Sequence, residues 1–110
     1  MEECILNGFI IFSDLKGFSK LTEPEIRLFY GSLMPALAKT VIPYKDKAKA
    51  LNTWGDAIVA IFENGQVAVD FALNYRDFFR GLNFEALGMQ QLLPRIACHF
   101  GEFEVFDDEV

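Results

Sequence analysis

Residues 10–23 read IIFSDLKGFSKLTE. Four apolar residues, Phe9 to Phe12, run into one serine and then Asp14, and Gly17 follows in a short polar loop. Aspartate is a poor strand former and is rarely fully buried unless it is paired or holds a metal. At the end of an apolar strand it is therefore either an exposed turn acid or a ligand. The rest of the chain decides between the two.

Around this stretch the pattern is strand, helix, hairpin, helix, strand. CILNGFIIFS (residues 4–13) is nearly continuous in its apolar character, as suits a central strand, and a loop from Asp14 to Leu21 follows it. Thr22 and Glu25 have capping-box spacing, and Leu21 and Ile26 are placed for a hydrophobic staple. Ile26, Phe29, Leu33, Leu37 and Val41 form a helical stripe, which Gly31 and Pro35 are expected to bend and Pro43 to end. KAKALNTW (47–54) and AIVAIFE (57–63) read as two strands joined at Gly55-Asp56. A second helix covers NGQVAVDFALNYRDFFRGL (64–82), with Phe71, Tyr75, Phe78 and Leu82 on one face and Gly81 as its stop. After an irregular stretch, RIACHF (95–100) is the last strand, and EFEVF (102–106) extends it or begins another. The order predicts an α+β sandwich of ferredoxin-like kind, with helices on one face of a mostly antiparallel sheet.

The bulk properties narrow the class. A chain of 110 residues favours one domain, residues 1–110. It is 52% hydrophobic and carries 12 Phe, enough for a real core. A net charge of −6 and a pI near 4.6 argue against a nucleic-acid footprint spread over the surface. They leave room for a nucleotide held by metal ions and backbone amides. Cys4 and Cys98 lack metal spacing and read as reduced thiols of a cytoplasmic protein. No apolar run has the length of a membrane helix, and the acidic start, MEECILNG, is unlike a secretory signal. Walker, zinc and Ser/His/Asp signatures are absent from the sequence.

In such a sheet the first strand lies beside the hairpin, so Asp14 and Asp56 reach the same end. Two converging carboxylates repel unless a cation or a proton joins them. Carboxylates with few other ligands suit Mg²⁺, which completes its shell with water and substrate phosphates. Gly17 lets the backbone turn so that the following N–H groups point at an anion. Taken singly, each acid reads as a turn residue. Taken together, they read equally well as a metal site beside a phosphate cradle.

These residues resemble a known family. FSDLKGFSKL (12–21) resembles the first metal motif of class III nucleotidyl cyclases, the adenylyl and guanylyl cyclases. LNTWGDAIVAIF (51–62) resembles their metal-bearing hairpin, and RIACHFGE (95–102) the strand that carries Arg, His and Gly. The three motifs stand in family order. The resemblance implies that Asp14 and Asp56, with the carbonyl of Leu15, hold two Mg²⁺ or Mn²⁺ ions. It implies that the amides of Gly17, Phe18 and Ser19 hold a nucleoside triphosphate. The implied reaction is attack of the ribose 3′-oxygen on the α-phosphate, giving a 3′,5′-cyclic nucleotide and pyrophosphate for signalling. The family builds its sites between two catalytic domains, so a homodimer is implied.

The chain departs from the family at Asn52, where purine cyclases usually carry Lys or Glu to read the base, and at Trp54, where an aliphatic residue is usual. An Asn amide both donates and accepts, so it can pair with adenine, uracil or cytosine. Trp54 shares a strand face with Asn52 and could stack on the base, although a lone tryptophan here is first expected in the core. A pyrimidine cyclase of bacterial antiphage defence is accordingly an alternative, as is a cyclase-like module that only binds nucleotide or dimerises. Lys45, Lys47 and Lys49 alternate like one face of a solvated edge strand. His99 is expected in the core or hydrogen-bonded. The family's transition-state Asn and Arg lie on a helix beyond the strand resembling RIACHFGE, so residues 1–110 are expected to be the N-terminal portion of a cyclase domain and nearly inactive alone.

Overall fold

A computed structural model describes the backbone of residues 3–106 and the side chains of residues 7–102. Four strands form one sheet: β1 (Glu3–Lys16), β2 (Ala50–Trp54), β3 (Ala57–Phe62) and β4 (Leu93–Phe106). Their order is β2-β3-β1-β4, and every neighbouring pair is antiparallel. This is the ferredoxin-like order expected from the pattern of elements. The helical layer comprises α1 (Glu23–Leu28), α2 (Met34–Val41), α3 (Gly65–Arg80) and the short α4 (Phe84–Leu87).

Period-2 burial on β1 explains the layering. Ile11, Ser13 and Leu15 are buried, whereas Phe12 between them is 44% exposed. Ile58, Ala60 and Phe62 of β3 share the buried face, and the helices cover it with Phe29, Leu33, Leu37, Phe71, Tyr75 and Phe79. Phe71 sits 5.3 Å from the rings of both Tyr44 and Phe62.

Local chemistry sets the helix ends. Thr22 caps α1, and Glu25 reaches back to the Thr22 N–H, completing the capping box. Between α1 and α2 the chain widens into a π-helical turn, Phe29–Leu33. Pro35, in the first turn of α2, has no N–H to give the carbonyl of Gly31, and Met34 N bonds to the Phe29 oxygen instead. Asn64 caps α3 through the amides of Gln66 and Val67.

Several expectations are corrected. Asp14 does not end β1: on the β4 side pairing continues through Leu15↔Pro94 to Lys16↔Leu93. β2 begins only at Ala50, because Lys47 N and Ala48 N bond back to the Tyr44 carbonyl and keep Lys45–Lys47 coiled. Those lysines therefore do not share a strand face. Lys49 pairs with Glu63 at 3.2 Å. Trp54 is not in the core but 58% exposed, because β2 is an edge strand and this face carries no helix. His99 is exposed, which corrects its core placement alone, and Phe79 takes the buried place expected of Phe78, which is half-buried. The irregular stretch contains α4, and Glu102–Phe106 extends β4. The Cys98 thiol is exposed. The Cys4 side chain and the segment Asp107–Val110 lie outside the described residues.

The core and the cap differ enough to be separated by equilibrium urea unfolding. Phe71→Ala opens a cavity at a residue that is 1% exposed and should cost about 3–5 kcal/mol. Thr22→Ala removes one cap on an exposed helix start and should cost about 1 kcal/mol. Equal losses would contradict this assignment of the core.

Candidate functional site

The site lies where the two neighbours of β1 let go of it at different points. On the β3 side the ladder ends at Ser13↔Ile58. Two residues further, opposite Leu15, stands the Gly55-Asp56 loop. Gly55 has φ 57° in the first loop position, the II′ pattern that only glycine adopts without strain. The loop delivers the Asp56 side chain in place of a backbone carbonyl, and Leu15 N–H donates to Asp56 Oδ2 at 3.3 Å. On the β4 side the ladder continues, and Asp14 lies directly opposite Arg95. Arg95 forks onto it, with Nε to Oδ1 and Nη2 to Oδ2 both at 2.7 Å. This guanidinium holds the Asp14 carboxyl below the usual carboxylate range.

The backbone turns sharply after Lys16. Gly17 has φ 98°, and a Cβ there would lie 3.0 Å from both Gln90 Nε2 and the Gln91 carbonyl. Glycine is thus required by conformation and by the close approach of the 90–91 segment. A short 3₁₀ turn, Phe18–Lys20, follows. Its internal bonds use the N–H groups of Lys20 and Leu21, leaving those of Phe18 and Ser19 at its open first turn. Glu25 braces the 90–91 segment: one carboxylate oxygen accepts from Thr22 N at 2.8 Å and the other from Gln90 N at 2.6 Å. These amides hold the Glu25 carboxyl below its ordinary range. The result is a cleft of about 450 Å³ lined by the Leu15–Lys20 turn, Asp56, Gln90, Gln91 and Arg95.

Two buried hydroxyls support the floor. Ser13, fully buried, donates to the Asp14 carbonyl at 3.3 Å. Tyr75 reaches it from α3. Burial pushes the Tyr75 phenol up to about 12; hydrogen bonding with Ser13 opposes that rise, and the charges of Asp56 and Asp14 reinforce it. Tyr75 is therefore a neutral hydroxyl beneath the carboxylates.

The structure brings Asp14, Leu15, Gly17, Phe18, Ser19 and Asp56 to one end of the sheet. It does not bring Asn52 and Trp54 into the cleft. Strand register sets those two on the helix-free face of β2, the face that also carries Phe12, Asp14 and Arg95. The sequence alone does not single out Arg95, Lys16, Lys20, Gln90 and Tyr75 as site components. Arg95 had a signal, its place in RIACHFGE, but the pairing that aims it at Asp14 is visible only in three dimensions.

The donors present are hard oxygens, two carboxylates and nearby carbonyls, which suit Mg²⁺ or Mn²⁺ rather than a soft metal. Among the described residues no group of three or more His, Cys, Asp and Glu converges, so water and substrate oxygens would complete any coordination shell. No helix among the described residues is long and apolar enough to cross a membrane.

No family model and no curated protein sequence matches the chain. Solved structures do. The adenylyl cyclase CyaB from P. aeruginosa superposes with a TM-score of 0.80 at 17% identity, over 100% of this chain and 63% of that one. The catalytic core of a rhodopsin-guanylyl cyclase with converted specificity, in complex with ATPalphaS, gives 0.70 at 16% identity, over 94% of this chain and 62% of that one. A bacterial light-regulated adenylyl cyclase gives 0.72 at 18% identity, over 94% and 33%. The chain spans less than two thirds of the length of each of these structures. Over nearly all of its own length it has the fold of class III adenylyl and guanylyl cyclase catalytic domains.

Proposed function

We propose that residues 1–110 are catalytic-domain sequence of a nucleotidyl cyclase, which converts a nucleoside triphosphate into a 3′,5′-cyclic nucleotide and pyrophosphate. The observation that carries this reading is the convergence of Asp14 and Asp56 beside the Gly17 turn, on a fold shared with cyclases. Asp14, Asp56 and the Leu15 carbonyl would hold two divalent ions. Such ions lower the pKa of the attacking ribose hydroxyl and neutralise the leaving phosphates. The chain's own groups bind and orient. Lys16 and Lys20 at the cleft draw the polyanion in, and the amides of Gly17, Phe18 and Ser19 fix the phosphates. Asn52 reads the base, and Trp54 packs against it. Since these two stand outside the cleft of their own chain, we assign them to the site of a second copy in a homodimer.

A second reading has one observation in its favour: Arg95 occupies both oxygens of Asp14. A module that binds nucleotide without turning it over would keep such a pair. Incubating the intact chain with each triphosphate and Mn²⁺, then identifying products by mass spectrometry, separates the two. Cyclic product from the chain, alone or mixed with a cyclase domain that carries the family's transition-state Asn and Arg, supports the enzyme; bound but unchanged triphosphate in both mixtures supports the module.

Asp56→Asn keeps an acceptor for Leu15 N–H, so the fold should survive and the apo form lose some carboxylate repulsion. Mn²⁺-dependent triphosphate binding should fall at least about tenfold, or about 1.4 kcal/mol, in titration calorimetry. Unchanged binding would remove Asp56 from the metal site.

Asn52→Ala should cost about 1–3 kcal/mol against the preferred base only, the value of one lost partner in a base pocket. The preference among the four triphosphates should flatten while inorganic triphosphate binding stays the same. A uniform loss across all four nucleotides would show that Asn52 does not read the base.

A further inference from the structure

The two carboxylates of the site are not in the same state. Asp56 gives Oδ2 to the Leu15 amide at 3.3 Å, and no hydrogen bond among the described residues engages its Oδ1. Asp14 has both oxygens engaged by one guanidinium at 2.7 Å. The fork lies along the carboxylate's own lone-pair directions, where a small cation would seek its oxygen. It also places a fixed positive charge where that cation would sit. A divalent ion at Asp14 therefore has to compete with a guanidinium already bound to both oxygens of that carboxylate.

The pair is built to be displaced. Arg95 is 63% and Asp14 33% exposed in their side chains, so water and salt weaken their attraction. The contact is nonetheless aimed: Asp14 and Arg95 are directly opposed in the β1–β4 register, with the ladder continuing on both sides of them. Lys16 and Lys20 line the same cleft without a hydrogen bond or ion pair to Asp14.

We propose that Arg95 is an autoinhibitory gate on cation binding: its fork on Asp14 competes directly with a divalent ion for that carboxylate. This rests on the metal-site reading given above, and it adds a competitor that the metal-site assignment does not by itself require. Removing the guanidinium should tighten cation binding in the absence of any nucleotide.

The test is titration of the intact chain with Mn²⁺ alone, with free Mn²⁺ measured by electron paramagnetic resonance. Arg95→Gln should bind Mn²⁺ about fivefold more tightly than the unaltered chain, the upper value for releasing an exposed pair. Arg95→Lys keeps the charge but loses the fork and should fall between. Lys20→Gln removes an equal charge from the same cleft and should change affinity by less than about twofold, as befits a solvated charge with no contact to Asp14. Adding Asp14→Asn to Arg95→Gln should abolish the gain. Equal tightening by Lys20→Gln and Arg95→Gln would reduce Arg95 to a general field effect and overturn the gate. Equal Mn²⁺ affinity in Arg95→Gln and the unaltered chain would overturn the gate while leaving the metal site standing. Mn²⁺ bound by neither protein would overturn the metal site and the gate with it.

Discussion

Two carboxylates at one end of a single sheet are the constraint around which the rest of this structure is arranged. Asp14 comes from β1 and Asp56 from the loop between β2 and β3, and their like charges at one end of the sheet repel. Each is answered by a different device. Asp56 is tied by the Leu15 amide, which is available only because the β1–β3 ladder stops at Ser13. Asp14 is tied by Arg95, which is in reach only because the β1–β4 ladder does not stop there. The unequal ends of the two ladders thus do electrostatic work. If β3 ran on past Ser13, a backbone carbonyl would take the Leu15 amide and Asp56 would lose its anchor.

The helical layer matters to the site through a few groups rather than through bulk packing. Glu25 closes the capping box of α1 and also holds the Gln90 amide, so the start of one helix and the loop entering β4 are one hydrogen-bonded unit. Gly17 fits beneath that unit because it has no side chain. On the other side, Tyr75 and Ser13 fill the floor with neutral hydroxyls. A charged group there would be costly to bury, and an apolar one would leave the Ser13 hydroxyl short of a partner.

Much of this was legible in the sequence, because it rests on local rules. Thr22 and Glu25 mark the helix start, Gly55-Asp56 the hairpin, and the near-continuous apolar run of residues 4–13 a strand inside the sheet. The misreadings came where tertiary context overrides local preference. Trp54 was expected inside because tryptophan is large and apolar, yet its strand is an edge and its face carries no helix. Lys45 and Lys47 alternate like strand residues, yet backbone bonds to Tyr44 keep them coiled. Asp14 read as a strand end because its neighbours turn polar, whereas pairing is decided by the partner strand, and β4 reaches as far as Leu93. The Asp14–Arg95 pair joins residues 81 positions apart, and no spacing rule reaches that far.

The helix-free face of the sheet links fold to proposed chemistry. Phe12 and Trp54 lie exposed on it, on the same face as Asp14, Arg95 and Asn52. Large apolar side chains in water gain about 25 cal/mol for each Å² that another surface covers. A partner laid on this face would also lie over the carboxylate end of the sheet and exclude water from it. Excluding water strengthens every charge interaction there. The ion pair of Arg95 and Asp14 and any bond from Asp14 to a cation would both grow stronger, and the competition between them would become sharper. In the proposed homodimer, association and cation binding would therefore be coupled through Asp14. The carboxylate that faces Arg95 across the β1–β4 ladder would then decide which positive group the closed site keeps.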